Sequence, residues 1–203
     1  MRILAVSDIE AKRYYDWYTP GVLEGFDLIV SCGDLPKEYL EFLVTMANVP
    51  LLYVPGNHDE GYASAPPEGC TCIDGRVVTV QGVRFFGLGG CHRYREGTYL
   101  YTEREMARRV RRAIPGIIRA RGIDVFVTHA PARNLGDFDT VAHRGFECFH
   151  TLLDRCEPQV FVHGHIHKSY DMHIPRETMH GATRVLTAFE SCVIELKESI
   201  GDE

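Results

Sequence analysis

The sequence lacks a long hydrophobic run, an excess of basic residues and a disulfide-type arrangement of cysteines. The apolar stretch near the N-terminus covers only residues 3–6, and no later run approaches the ~18 apolar residues of a membrane helix. Lys and Arg number 22 against 28 Asp and Glu, and the net charge of −6 argues against a broadly basic surface. Seven cysteines lie scattered without paired spacing. We expect a soluble, cytoplasmic protein with reduced thiols that does not bind membranes.

The composition is that of a globular protein, with 203 residues of which 45% are hydrophobic and 25% charged. This length predicts one domain over residues 1–203. Short apolar runs rich in β-branched residues predict strands at residues 3–6, 28–31, 51–54, 77–80, 83–88, 125–128, 160–163, 184–188 and 192–196. Helices are predicted at residues 36–47, 102–113, 116–121 and 145–155. Nine strands in so short a chain indicate an α/β fold with two mixed sheets packed face to face and helices outside.

Side chains that bind metals follow the ends of five predicted strands. They are Asp8 and Glu10, then Asp34, then Asn57 with His58 and Asp59, then His129, and finally His165 and His167. The carboxyl ends of strands in α/β sheets are where loops converge on a site, so we expect these clusters to meet. Residues two apart in extended backbone point to the same side, so each such pair can reach one metal centre.

The number of potential ligands indicates two metal ions. Three carboxylates, one amide and three imidazoles are more than one divalent ion takes from a protein, but they suit two ions that share a bridging ligand. Two ions about 3.5–4 Å apart stabilise the attacking and leaving oxygens of an in-line displacement at phosphorus. This ligand set therefore predicts hydrolysis of phosphoric esters.

The five clusters closely resemble the signature of the calcineurin-like metallophosphoesterase superfamily. The matching blocks are Asp8-x-Glu10, Gly33-Asp34, Gly56-Asn57-His58-Asp59, Thr128-His129-Ala130-Pro131 and Gly164-His165-Ile166-His167. The order and spread of the blocks match from residue 8 to residue 167. The resemblance implies a four-layer α/β/β/α sandwich, with two mixed sheets face to face and helices on both outer faces.

The resemblance also implies a role for each residue of the blocks. Asp34 would bridge the two metal ions. One ion would be completed by Asp8, Glu10 and His167, and the other by Asn57, His129 and His165. His58 would be the catalytic imidazole near the leaving group, with Asp59 orienting it.

We therefore expect a binuclear metal-dependent phosphoesterase that hydrolyses a phosphorylated small molecule. A metal-bridging hydroxide would attack phosphorus while His58 assists the leaving oxygen. One alternative is a non-catalytic scaffold of the same fold that binds a protein partner, as the retromer subunit resembling these enzymes does. The other is a nuclease, and the net charge of −6 makes nucleic acid a possible but disfavoured ligand. The sequence indicates neither the physiological substrate nor an oligomeric state.

The first block departs from the superfamily pattern, which commonly has Asp-x-His where this chain has Asp8-x-Glu10. Two divalent ions (+4), the carboxylates of Asp8, Glu10 and Asp34 (−3) and a hydroxide (−1) give a nearly neutral centre, where histidine would leave +1. A neutral centre favours phosphodiesters over dianionic monoesters. Hard oxygen ligands favour Mn²⁺, with Mg²⁺, Fe²⁺, Zn²⁺ or Ni²⁺ as alternatives. If Glu10 instead turns outward, this site is weakly occupied.

Two polar loops are predicted to line the substrate groove. They carry His92 with Arg93 and His143 with Arg144. An arginine grips phosphate oxygens with two parallel hydrogen bonds, which would suit substrate binding. The alternative is that both arginines are ordinary surface residues.

Overall fold

The protein is described here from a computed structural model that covers residues 1–167 and 175–196. Its strands are β1 (Arg2–Ser7), β2 (Leu28–Ser31), β3 (Leu51–Tyr53), β4 (Thr71–Cys72), β5 (Val77–Val80), β6 (Val83–Leu88), β7 (Cys91–His92), β8 (Leu100–Tyr101), β9 (Val125–Thr128), β10 (Val160–His163), β11 (Glu177–His180), β12 (Thr183–Thr187) and β13 (Glu190–Glu195). The α-helices are α1 (Lys37–Ala47), α2 (Glu103–Arg119) and α3 (His150–Cys156). Short 3-10 turns cover Lys12–Tyr14, Glu60–Ala63 and Glu147–Phe149.

The strands form two large mixed sheets. The first has the order β13-β1-β2-β3-β4, and the second has the order β11-β12-β10-β9-β6-β5. In the first sheet β13 runs antiparallel to β1, while β1 to β4 are parallel. In the second, β5 and β11 are antiparallel edge strands on a parallel centre. A small parallel pair, β7 and β8, stands apart.

Alternating side chains on the strands show how the layers stack. Ile3 and Ala5 of β1 share a buried cluster with Val125 and Val127 of β9, so the two sheets pack face to face. The intervening residues Leu4 and Val6 belong to a second cluster with Leu40 and Leu43 of α1, which covers the outer face of the first sheet.

The outer face of the second sheet is covered in the same way. Phe126 of β9 and Phe161 of β10 pack with Met106 and Val110 of α2 and with Leu153 of α3. Helix, sheet, sheet and helix therefore follow one another, and the predicted four-layer α/β/β/α architecture is confirmed.

Helix α2 differs from its prediction, because one continuous helix replaces the two expected at residues 102–113 and 116–121. It begins with a capping box in which Thr102 and Glu105 each bond the other's backbone N–H. Pro115 lies inside it, where a proline normally breaks a helix. The buried stripe of Met106, Val110, Ala113 and Ile117 continues past this proline. Packing of Ile117 against the sheet therefore favours one helix over two.

Several smaller elements also differ from the prediction. Helix α3 begins at His150, because the preceding Glu147–Phe149 turn is 3-10 rather than α-helical. Strands β4, β7 and β8 have two residues each, too few for a periodic pattern. Strand β11 lies at a sheet edge and carries no apolar run. Among the helices described here, none is long and apolar enough to cross a membrane.

Candidate metal centre

The parallel strands bring the predicted ligands to one edge of the two sheets. Asp8 follows β1, Asp34 lies three residues after the end of β2, and Asn57 lies in the loop after β3. His129 follows β9, and the His165 loop follows β10. Because parallel strands end at the same edge, residues far apart in the sequence meet there.

The centre of the site is formed by Asp34, His129 and His165, whose ligand atoms all lie within 4.8 Å of one another. Nε2 of His129 is 2.9 Å from Oδ1 of Asn57 and 3.4 Å from Oδ2 of Asp34. Its other ring nitrogen, Nδ1, is 2.8 Å from the carbonyl oxygen of Cys32. A bond from the far ring nitrogen to a main-chain carbonyl is what orients a metal-binding histidine.

Asp8 connects this centre to the last histidine block. The backbone N–H of His165 donates to both carboxylate oxygens of Asp8, at 3.0 Å each. Nε2 of His167 lies 3.6 Å from Oδ1 of Asp8. Nε2 of His165 contacts the carbonyl oxygen of Ala142 at 2.7 Å, which fixes its ring in the same way as that of His129. The first and last blocks are thus adjacent although 157 residues separate Asp8 from His165.

The side chains at the centre shift one another's pKa values strongly. Burial alone would raise the pKa of Asp34, but the charge of His129 and its hydrogen bond lower it to about 2. Burial would lower the pKa of His129, but Asp34 raises it to about 9. Burial and the charge of His129 lower the pKa of His165 to about 3. Asp34 and His129 therefore each stabilise the charged form of the other.

These carboxylates fit a site for cations. The side chain of Asp8 is fully buried and that of Asp34 is 9% exposed. In the part of the chain that the structure describes, their ion pairs are with histidines and not with lysine or arginine. Buried carboxylates are costly unless a charge compensates them. Divalent metal ions bind carboxylate, amide and imidazole groups of the kind that meet at this edge of the sheets.

Backbone geometry at the strand ends is strained where it aims these ligands. Asp8, Asp34 and His165 have φ angles of 69°, 57° and 67°, in the left-handed region that non-glycine residues avoid. Each such residue costs on the order of 1–3 kcal/mol. A β-carbon at Gly164 would lie 2.9 Å from Oδ2 of Asp8, and one at Gly56 would lie 2.6 Å from Cγ of Asp34. The two glycines therefore let backbone approach the carboxylates.

His58 and Asp59 lie next to the Asp34 carboxylate but face different surroundings. The backbone N–H of His58 donates to Oδ1 of Asp34 at 2.7 Å, and the residue is exposed beside an open cleft of about 510 Å³. Asp59 is buried, and its Oδ2 accepts bonds from the backbone N–H groups of Asp34 at 2.8 Å and Gly56 at 2.7 Å. Burial raises the pKa of Asp59 to about 6. Asp59 thus holds the Asp34 loop, while its orienting of the His58 ring stays a prediction.

Glu10 lies near Tyr39 of helix α1. Burial raises the pKa of the Tyr39 hydroxyl, and the charge of Glu10 contributes to the rise. That hydroxyl accepts a bond from the backbone N–H of Ala11 at 3.2 Å. Glu10 is half-buried and does not belong to the cluster of Asp34, His129 and His165. Its ligation of a metal stays a prediction.

Of the four residues predicted to contact substrate, His143 lies against a proposed metal ligand. Its ring centroid is 5.2 Å from that of His165. His92 stacks on Phe146 with ring centroids 4.1 Å apart. Arg93 pairs with Glu105 at 2.9 Å, and Arg144 pairs with Asp139 at 3.0 Å. Both arginines are thus paired with carboxylates, and all four roles stay predictions.

The sequence matches the calcineurin-like phosphoesterase superfamily domain over residues 1–187. The chain belongs to this superfamily. Its members are generally metal-dependent hydrolases, and some are non-catalytic. No curated protein matches the sequence closely enough to count as a relative.

Solved structures share the fold of this chain. One crystal structure has a TM-score of 0.65 at 16% identity and covers 93% of this chain and 90% of its own. The protein TT1561 of Thermus thermophilus has a TM-score of 0.61 at 16% identity, with 93% and 89% covered. A single mutant of Vps29 from Entamoeba histolytica has a TM-score of 0.40 at 12% identity, with 93% and 73% covered. Identities of this size show the fold alone.

Several contacts in the candidate metal centre were not predicted from the sequence. Nδ2 of Asn57 donates to the hydroxyl of Tyr94 at 3.3 Å, which orients the amide. The carbonyl groups of Cys32 and Ala142 orient His129 and His165. Main-chain carbonyls have no signal in a sequence. Tyr94 had one, because it directly follows the predicted substrate residues His92 and Arg93.

Proposed function

We propose that this chain hydrolyses phosphoric esters, with a preference for phosphodiesters, at a pair of divalent metal ions. The observation that supports this most is the convergence of Asp34, His129 and His165 within 4.8 Å at the strand ends, beside the buried Asp8 carboxylate. Asp8, Glu10 and His167 would hold one ion, Asn57, His129 and His165 the other, and Asp34 both. Bound ions of this kind lower the pKa of water and neutralise charge on the phosphoryl oxygens.

The protein's own contribution to the reaction is to position the ester and to supply a proton. His58 borders the open cleft next to Asp34, so a phosphoryl group at the centre would have its leaving oxygen within reach of this imidazole. The hydrogen bond from the His58 backbone N–H to Asp34 holds the two residues next to each other. Protonation of the leaving oxygen by a placed histidine contributes roughly 10²- to 10⁴-fold to a rate.

The preference for diesters follows from charge. Three carboxylates in the ligand set, where the superfamily commonly has two and a histidine, lower the charge of the loaded centre by one unit. A phosphodiester carries a single negative charge, whereas a monoester is dianionic at neutral pH. The dianion therefore loses more attraction when the centre becomes neutral.

The proposal is tested by hydrolysis of matched aryl substrates. Metal-free protein should hydrolyse neither bis(4-nitrophenyl) phosphate nor 4-nitrophenyl phosphate. Activity should return on addition of metal, most with Mn²⁺ and less with Mg²⁺, Zn²⁺ or Ni²⁺, and the diester should have the larger kcat/KM. A folded protein that stays inactive on both esters with every metal would argue for a non-catalytic role.

Glu10→His tests the basis of the diester preference. If the Glu10 carboxylate ligates a metal, histidine adds one positive charge, so the ratio of monoester to diester kcat/KM should rise by about tenfold, the equivalent of 1.4 kcal/mol. Zn²⁺ should also support activity better relative to Mn²⁺, because imidazole suits zinc. Steady-state rates on both esters with each metal give the two ratios.

Glu190→Gln is the matched control for this substitution. Glu190 also acts on Tyr39 through its charge, so it lies in the same region as Glu10, but it is not one of the proposed ligands. It should leave the metal preference unchanged. If both ratios in Glu10→His equal those of the parent protein, the side chain points away from the metals and the diester preference has another cause.

A further inference from the structure

A second group of metal-binding side chains lies outside the metal centre, between helix α3 and strand β11. His150 and Asp154 of α3 and His180 of β11 have ligand atoms that all lie within 4.8 Å of one another. His150 and Asp154 are four residues apart in a helix and share one face. Nε2 of His180 is 2.7 Å from Oδ1 of Asp154, and the two histidine rings have centroids 5.1 Å apart. We call these three residues the α3–β11 cluster.

The hydrogen bonding of His150 is that of a metal ligand. Its Nε2 lies 2.8 Å from the carbonyl oxygen of Arg133, an acceptor, so Nε2 carries the ring proton. In a neutral ring the lone pair of Nδ1 is then available to a metal ion. A metal-binding histidine usually donates its other ring N–H to an acceptor such as this carbonyl. One ring nitrogen also contacts a main-chain carbonyl in His129 and in His165 of the metal centre.

The α3–β11 cluster is open to solvent on one side. The side chain of Asp154 is 61% exposed and that of His180 is 28% exposed. An ion can therefore enter without any movement of the sheet. The ion can also keep a water molecule as its fourth ligand, beside the three side chains.

We propose that His150, Asp154 and His180 bind one zinc ion that connects helix α3 to strand β11. Two imidazoles and one carboxylate with a water ligand form a recurrent zinc set, whereas Mn²⁺ and Mg²⁺ prefer sites made of oxygen. The ion takes the place of the proton between Nε2 of His180 and Oδ1 of Asp154, and the neutral His180 ring then carries its proton on Nδ1. Because β11 is an edge strand paired with β12 alone, the ion fixes an end of the six-stranded sheet.

The experiment counts zinc ions per chain after equilibrium dialysis of metal-free full-length protein against Zn²⁺. His150→Gln, His180→Gln and Asp154→Asn should each hold one zinc ion fewer than the parent protein. Glu177→Gln is the matched control, because it removes a carboxylate of the same strand that pairs with Arg184. It should hold as many zinc ions as the parent. Since all these variants keep the metal centre intact, the difference of one ion does not depend on the proposed phosphoesterase activity.

Two further readouts complete the test. Crystals grown with Zn²⁺ should show anomalous scattering between His150, Asp154 and His180, and dialysis against Mn²⁺ should place no ion there. Metal-free His180→Gln should have the circular dichroism spectrum of the metal-free parent protein, which shows that the variant is folded. Equal zinc counts in parent and His180→Gln, an equal loss in Glu177→Gln, or no anomalous signal at the cluster would each overturn the proposal.

Discussion

Asp34→Asn should remove bound metal and phosphoesterase activity together. Oδ1 of Asp34 accepts the backbone N–H of His58, and Oδ2 faces Nε2 of His129. An asparagine has the same shape but loses the charge, and its NH₂ group must face one of these two partners. Loss of a ligand proposed to serve both ions should lower kcat/KM by roughly 10³-fold, because the metals contribute several kcal/mol to transition-state stabilisation.

Elemental analysis of the purified variant gives its metal content, and kinetics on the aryl diester give its activity. Asp124→Asn is a suitable control, because Asp124 is a partly buried aspartate whose partner, Arg84, lies outside the centre. It should keep both metal and activity. Two tightly held ions with normal turnover in Asp34→Asn would remove the two-metal assignment.

His58→Ala should retain the metals and lose turnover, by about 10²- to 10⁴-fold on substrates with alkyl leaving groups. His58 is not a proposed metal ligand. It is exposed at the cleft, and its backbone N–H donates to Asp34. A poor alkoxide leaving group needs a proton, whereas nitrophenolate leaves readily without one. The loss should therefore be much smaller on nitrophenyl esters, and the dependence of rate on leaving-group pKa should become steeper.

Rates over a series of diesters with different leaving groups measure this dependence. His180→Gln, a histidine substitution outside the centre, should show the parental rates and trend. A trend in His58→Ala identical to that of the parent would reject the general-acid role and leave the metal assignment intact.

The parts of the centre that the sequence predicts are those carried by residue type at strand ends. Asp34 and His129 stand where a β-branched run stops, and such runs are recognisable as strands. The convergence of their blocks follows from the rule that parallel strands end at one edge. The two-sheet architecture was predictable for the same reason, because apolar runs mark each central strand.

The parts that could not be predicted depend on partners chosen in three dimensions. The Asp59 carboxylate accepts hydrogen bonds from backbone N–H groups and so supports the Asp34 loop. No sequence pattern distinguishes an aspartate in this role from one that orients a histidine ring. Arg93 pairs with Glu105, twelve residues away, because the β7–β8 pair places it against α2. Two helices were expected at residues 102–113 and 116–121, since local propensity carries no information on the burial of Ile117.

The proposed ligands are divided between the two sheets, with consequences for how the chain folds. Asp8, Asp34 and Asn57 follow strands of the first sheet, and His129, His165 and His167 follow strands of the second. Contacts across 157 residues, such as that of Asp8 with His165, carry a large loop-closure entropy and slow folding. Metal ions that need ligands from both sheets cannot stabilise either sheet by itself. Their binding would stabilise only chains in which the second sheet is packed against the first.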